Sequence, residues 1–227
     1  MRLAILIIFP IVLEKNFHML DYKNFTFIFI FFFLFGFSPS DAKIIQEKFN
    51  DIIAGCEQCH GSQGNSTVNK NWPKLAGQNV NYLIKQMQDF QPNAKYGRDN
   101  PIMNSLIAAL SKNERIKIAN YYADLSGTTD IAHTHLLSLG QRIYRGGDAN
   151  KGMPACLACH GPAGLGNSSA GFPRLSGQHA RYIVTQLKAF RDSKRNNDKF
   201  QMMPIISKKM NDTEINAVAN YISGLYS

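Results

Sequence analysis

All four cysteines of this 227-residue chain fall in two Cys-x-x-Cys-His pentapeptides, Cys56-Glu57-Gln58-Cys59-His60 and Cys156-Leu157-Ala158-Cys159-His160. Two thiols three positions apart can each add to one vinyl group of a single porphyrin. The histidine that follows then lies under the iron and supplies an axial ligand. The pattern predicts two covalently bound haem c groups and one-electron iron chemistry. A zinc site made from the four cysteines would leave both histidines without a role. A dithiol oxidoreductase would need a strand-rich thioredoxin-like domain, and the chain has no alternating strand pattern.

The pentapeptides belong to a longer repeat. Residues 55–127 align with 155–227 without a gap. Matched pairs include Gly61/Gly161, Gly64/Gly164, Pro73/Pro173, Leu75/Leu175, Gly77/Gly177, Gln78/Gln178, Tyr82/Tyr182, Gln86/Gln186, Phe90/Phe190, Met103/Met203, Glu114/Glu214 and Tyr121/Tyr221. The expected organisation is a leader over 1–42, a first domain over 43–130 and a second over 131–227. Each copy is smaller than the usual ~100–200 residues per domain, and a buried haem would enlarge its core.

The repeat also selects a sixth ligand for each iron. A thioether suits haem iron, and a His/Met pair raises the potential relative to two histidines. Met87 matches Leu187 and reads as core filler. Met202 matches Ile102 and Met210 matches Leu110, whereas Met203 matches Met103. The expected iron ligands are therefore His60 with Met103 and His160 with Met203. His133, His135 and His179 are rival donors, and each reads as a surface histidine.

Helical periodicity positions these groups. Ile44, Ile45, Phe49, Ile52 and Ile53 form a stripe leading into Cys56. Leu136 to Tyr144 opens the second copy, and an extra loop, 145–154, intervenes before Cys156. Further helices are expected over Val80–Phe90, Ala180–Phe190, Lys112–Leu125 and Asp212–Leu225, with Asp212, Thr213 and Glu214 as a helix start. Residues 126–130 are the expected linker, and Gly77 and Gly177 mark expected tight turns.

The apolar run Phe25–Phe37 has the length of a secretory h-region, ~7–15 residues, and is short of the ~18 residues of a spanning helix. Small residues precede a cut after Ala42, and Met19 with Lys23 begins a signal-peptide pattern. An uncleaved anchor is the alternative. Export suits a protein whose thiols receive haem outside the cytoplasm, so the expected compartment is the periplasm. The formal net charge is +9, and it is uneven: +2 over 43–130 and +7 over 131–227. Lys188, Arg191, Lys194, Arg195 and Lys199 are expected to form a docking face for an acidic redox partner or an anionic membrane. No recognition-helix or aromatic stacking pattern points to nucleic acid.

Two small all-α domains, each with Cys-x-x-Cys-His, then Pro-x-Leu-x-Gly-Gln, then a late methionine, resemble the dihaem cytochromes c of the c4 type. The resemblance covers 43–227. It implies two tandem class I cytochrome c folds related by a pseudo-twofold axis, with propionate edges facing one another. It implies an electron carrier without substrate chemistry, serving a membrane-associated terminal oxidase and fed by an upstream donor. Similarity to small cytochromes c further implies that Pro73 and Pro173 offer carbonyls to the proximal histidines. Tyr82, Gln78, Trp72 and Lys74, and Tyr182, Gln178 and Arg174, are candidate propionate donors. A dihaem subunit of a flavocytochrome-type sulfide dehydrogenase and a dihaem peroxidase remain alternative readings at this stage.

Overall fold

The computed structural model describes residues 39–95 and 97–226. The expected leader lies outside the described residues apart from its last four. Residues 1–48 and 49–227 form separate units, and the second contains both copies of the repeat. Among the described residues the secondary structure is helical, with two isolated bridges, Asp148 to Met153 and Asn167 to Phe172. No described helix is long and apolar enough to cross a membrane.

The first copy contains α1 (Pro39–His60), α2 (Val80–Asp89), α3 (Pro101–Ala108) and α4 (Lys112–Asp124). The second contains α5 (Leu137–Gly146), a 3-10 turn (Ala149–Lys151), α6 (Leu157–His160), α7 (Ala180–Arg191), α8 (Met202–Ser207) and α9 (Asp212–Ser223). In the first copy one helix carries the apolar stripe directly into Cys56–His60. In the second the extra loop breaks it. Gly147 ends α5 at φ +66°, where a Cβ would lie 2.2 Å from the Met153 carbonyl oxygen. Asp148 then caps the 3-10 turn through the N–H groups of Asn150 and Lys151.

Each core is built by the apolar spacing of its helices. Leu83 and Met87 of α2 and Phe90 just after it meet Ile53, Ile107, Ile118 and Tyr122 in copy one. Ile183 and Leu187 of α7 meet Ile143, Tyr144, Ile215, Val218 and Ile222 in copy two. Met87 is buried in the core, as its match to Leu187 indicated. The last helix of each copy opens on a capping box, Ser111 with Glu114 and Asn211 with Glu214. The cap in copy two is thus Asn211, one residue before the expected start at Asp212. Its side chain accepts from the Glu214 N–H at 2.9 Å.

Helices α5 and α9 touch through a missing side chain. A Cβ on Gly140 would sit 2.1 Å from the Ala217 carbonyl oxygen and 2.8 Å from Tyr221 Cβ. Both neighbours are fixed, so the helices would have to separate. Gly146, in the same helix, has nothing within 4 Å of its virtual Cβ. Gly140→Ala is expected to destabilise the second copy by about 1–3 kcal/mol through overpacking. Gly146→Ala should leave stability unchanged or raise it by up to about 1 kcal/mol. Denaturant unfolding of the two variants checks this, and equal behaviour would exclude the close helix contact.

Candidate haem sites and the seam between them

Each proximal histidine is held by one backbone carbonyl. His60 Nδ1 lies 2.9 Å from the Pro73 oxygen, and His160 Nδ1 lies 3.0 Å from the Pro173 oxygen. A carbonyl accepts only, so Nδ1 carries the proton and donates it. The lone pair is then on Nε2, free for a metal. Both rings are buried, and burial lowers their pKa below the ordinary histidine value, the proline carbonyls opposing it. They stay neutral and able to ligate at neutral pH.

The loop between histidine and proline is fastened in the same way in both copies. The Gly64 carbonyl accepts from the N–H groups of Leu75 and Ala76, and the Gly164 carbonyl from those of Leu175 and Ser176. Gly77 and Gly177 turn the chain at φ +67° and +71°.

All four thiols are free and half-buried. Burial pushes the Cys156 thiol up to about 11 and also raises Cys56. A dithiol catalyst needs the opposite shift, so that a thiolate forms readily. Met103 and Met203 lie in the short helices α3 and α8, not in open loops. Their N–H groups are tied to Asn100 Oδ1 at 3.0 Å and Asp198 Oδ2 at 2.7 Å. Each side chain packs against the core of its own copy.

The two copies join along a polar seam. Gln78 accepts from the Arg174 N–H at 2.8 Å and donates to the Arg174 carbonyl at 2.9 Å. Gln178 does the same for Lys74, with both distances 2.9 Å. These reciprocal pairs are the contacts of an approximate twofold. Lys74 Nζ is engaged by the Thr128 carbonyl and Asp130 of the linker. Trp72 is half-buried.

Further along the seam, Arg98 donates to Gln86, Tyr182 and Gln186, at 3.0, 3.0 and 2.8 Å. Arg195 donates to Gln186, Tyr82 and Gln86, at 2.8, 3.1 and 3.0 Å, and to Asn197 at 2.8 Å. Each guanidinium also lies over a phenylalanine of its own copy, Arg98 over Phe90 at 4.8 Å and Arg195 over Phe190 at 4.4 Å. Burial pushes the Tyr182 phenol up, but Arg98 and Arg195 more than offset it, leaving it below the ordinary tyrosine value.

Among the described residues, then, two guanidinium groups share amide and phenol oxygens instead of carboxylates. A seam rich in donors and positive charge suits the carboxylates that a haem carries. Together with the free Nε2 atoms and the paired thiols, it shows that the residues present fit two haem groups.

Several expectations change. Arg195 was expected on a docking face but is 7% exposed and sits in the seam. Lys188 and Arg191 are tied to Asp212, and Arg191 also to Asp192. His133 and His135 are exposed, as expected of surface residues, but His179 is 1% exposed. Sequence reasoning missed Arg98 and Arg195 as seam residues. It matched Gln86 to Gln186 without giving them a role. The available signal was the four-residue spacing of Gln78, Tyr82 and Gln86, repeated by Gln178, Tyr182 and Gln186: a polar stripe that begins just before α2 or α7 and continues along it.

Comparison with known proteins agrees with this construction. The family model described as cytochrome c matches residues 138–225. Cytochrome c4 of Stutzerimonas stutzeri is 41% identical over 181 residues, covering 77% of this chain and 86% of that one. A protein described as thiosulfate dehydrogenase electron acceptor, from Stutzerimonas stutzeri strain A1501, is 36% identical and covers 78% of this chain and 81% of its own. The crystal structure of reduced recombinant cytochrome c4 from Pseudomonas stutzeri superposes with a TM-score of 0.75 at 40% identity, covering 79% of this chain and 98% of that one.

Replacing Gln78 by Leu strips the partner from a backbone N–H and a backbone carbonyl of Arg174. Leaving such buried groups unpaired costs about 1–3 kcal/mol each. Gln78→Leu and Gln178→Leu are each expected to lower the unfolding midpoint. The double variant is expected to separate the unfolding of the two copies into two transitions. A single unshifted transition in calorimetry would show that the glutamine pairs do not couple the copies.

Proposed function

The chain belongs to the cytochrome c4 family, and from that premise we propose that it is a periplasmic shuttle of single electrons, taking them from an upstream redox protein and passing them to a respiratory partner such as a terminal oxidase. It carries two covalently bound haem c groups, on Cys56/Cys59 and Cys156/Cys159. The bound groups supply reversible one-electron exchange at iron.

The rest of the chain's work is positioning. In our assignment His60 and Met103 hold one iron, and His160 and Met203 the other. Pro73 and Pro173 fix the imidazole rings. Tyr82, Tyr182, Arg98 and Arg195 would supply donors and positive charge to the propionates. With His/Met ligation both irons would have no open position for oxygen or peroxide, unlike those of a peroxidase.

The observation that carries this reading is the duplicated histidine pinned through Nδ1, paired in each copy with a methionine at the same repeat position. A second reading concerns the donor. The likeness to the thiosulfate dehydrogenase electron acceptor favours a sulfur-oxidising dehydrogenase as the upstream partner. Co-purification with such an enzyme would support it over a flavocytochrome.

The docking face is narrower than residue counts suggested. Lys194 and Lys199 remain exposed, and Lys199 lies over the ring of Phe200, which is 71% exposed. Phe200 and Ile205 flank Met203 as exposed apolar residues. Attraction between this patch and an acidic partner should weaken as salt shortens the Debye length to ~10 Å at 0.1 M.

Met203→Ala is expected to remove about half of the Met–Fe charge-transfer absorbance of the oxidised protein and to lower one of the two potentials. Met202→Ala should change neither. The reverse result would show that the repeat register fails at α8. For the shuttle itself, electron transfer to a membrane oxidase should slow as ionic strength rises. Lys194→Gln with Lys199→Gln should flatten that dependence. A rate insensitive to both salt and these substitutions would remove the docking role.

A further inference from the structure

His179 takes the place in copy two that Asn79 has in copy one. Both of its ring nitrogens meet oxygen in copy one. Nδ1 is 3.2 Å from the Asp130 carboxylate, and Nε2 is 2.9 Å from the Ser66 carbonyl oxygen. A carboxylate and a carbonyl only accept, whereas a neutral imidazole has a single N–H. The neutral ring therefore satisfies one contact and sets lone pair against lone pair at the other. The imidazolium ring has two N–H groups and satisfies both. Asn79 makes the corresponding reach with a neutral amide, to the carbonyls of Phe172 at 2.8 Å and Leu165 at 3.3 Å. Only the contact from copy two can titrate.

Ser66 links this ring to the first haem-attachment segment. It is buried, its N–H donates to the His60 carbonyl at 2.8 Å, and its hydroxyl lies between the carbonyls of Asn69 at 3.1 Å and Cys59 at 3.3 Å. The charged groups facing the ring are Asp130, Lys70 and Lys74. Asp130 bonds Lys70 at 3.1 Å and Lys74 at 3.3 Å as well as the ring. Burial pushes the Asp130 carboxyl up, but His179, Lys70 and Lys74 more than offset this and keep it ionised. Burial draws the His179 ring below the ordinary histidine value, with Lys74 and Lys70 adding to it and Asp130 and Ser66 opposing. Proton uptake thus falls on the acid side of neutrality, and Asp130, 30% exposed, offers a route from solvent.

We propose that His179 is a proton-linked positioning residue for electron transfer: it takes a proton when the first haem is reduced, and the proton completes its second N–H···O contact across the seam. This rests on the reading of both haems as one-electron centres. The electron comes from the upstream redox protein and the proton from hydronium or a buffer acid in solvent, so the ring becomes imidazolium and water or the buffer base is left. An electron on copy one removes a positive charge there and favours protonation of the ring. By reciprocity, protonation of the ring favours reduction.

The test is the His179 ring titration, followed by nitrogen-detected NMR in fully oxidised and fully reduced holoprotein, the ring being assigned through its proximity to Ser66. The expected result is a higher ring pKa in the reduced protein, with both ring nitrogens protonated below it. Equal pKa values in the two states would overturn the coupling. His179→Asn keeps an amide donor and loses the proton. It should remove at least half of the rise in the first haem's potential as pH falls from about 8 to about 5, the range in which histidine titrates. An unchanged pH dependence would overturn the proposal, and if this variant does not fold, the native titration decides alone. Failure of the electron-carrier reading would appear differently, as the absence of two reversible one-electron waves in the native protein.

Discussion

The N–H of each proximal imidazole goes to one proline carbonyl thirteen residues downstream, and much of each half of the molecule follows from that bond. It closes the loop after the Cys-x-x-Cys-His motif and decides which ring nitrogen keeps its lone pair. In isolation it contributes only about 0.5–1.5 kcal/mol. Its value is geometric. With the ring fixed, the following Lys74 or Arg174 is placed where a glutamine of the other copy can take both its N–H and its carbonyl. The bond that orients the ligand thus also delivers the backbone that joins the two copies.

That joint is polar where an apolar one would bury surface at less desolvation cost. Burying amides and guanidinium groups stabilises only when their partners are supplied, and a half-satisfied network is worse than an apolar contact. Gln86 Oε1 alone receives Arg98, Arg195 and Asn197. Such a network fixes one docking orientation, because sliding the helices by a turn would strand several donors at once. For a dihaem electron-transfer cytochrome, a fixed orientation of the two centres matters more than a large contribution to stability. Asp89, an acid near this end of the seam, is already engaged by Lys85 and Asn197. On the proposed reading, the positive character of the arginines would be left for the carboxylates of the cofactor.

How much of this was legible in the sequence depended on how local the constraint was. Thiol attachment and histidine ligation need fixed spacing along one turn of chain, so Cys56, Cys59, His60 and their counterparts stand out at once. Helices α2, α4, α7 and α9 were legible because an apolar face repeats every three or four residues. The short helices around Met103 and Met203 were not, since each is held by one Asx side chain and by the core. The start of α9 at Asp212 was legible too, from Asp212, Thr213 and Glu214, although Asn211, which caps it, was not singled out. Arg195 and His179 were misplaced for a common reason. Charge counts and residue type carry no information on burial, and both residues are buried by contacts with segments about fifty to over one hundred positions away.

The repeat register itself conceals part of the symmetry. Arg98 aligns with Asp198, and Arg195 with Lys95, so a gapless comparison pairs neither arginine with the other. Yet both reach the same two glutamine oxygens, and each stacks on a phenylalanine at the C-terminal end of α2 or α7, Phe90 or Phe190. The loop after that helix can deliver a long, flexible side chain from either of two positions, whereas the helix face that receives it has no such freedom. Identity of sequence therefore persists in the acceptors, at Gln86 and Gln186, and is lost in the donors. The exchange of Asn79 for His179 follows the opposite logic. There the backbone position is kept, the reach across the seam is kept, and the chemistry of the donor alone differs. Where a duplicated protein keeps geometry and changes only protonation, the two halves can hold each other in the same way while responding differently to pH.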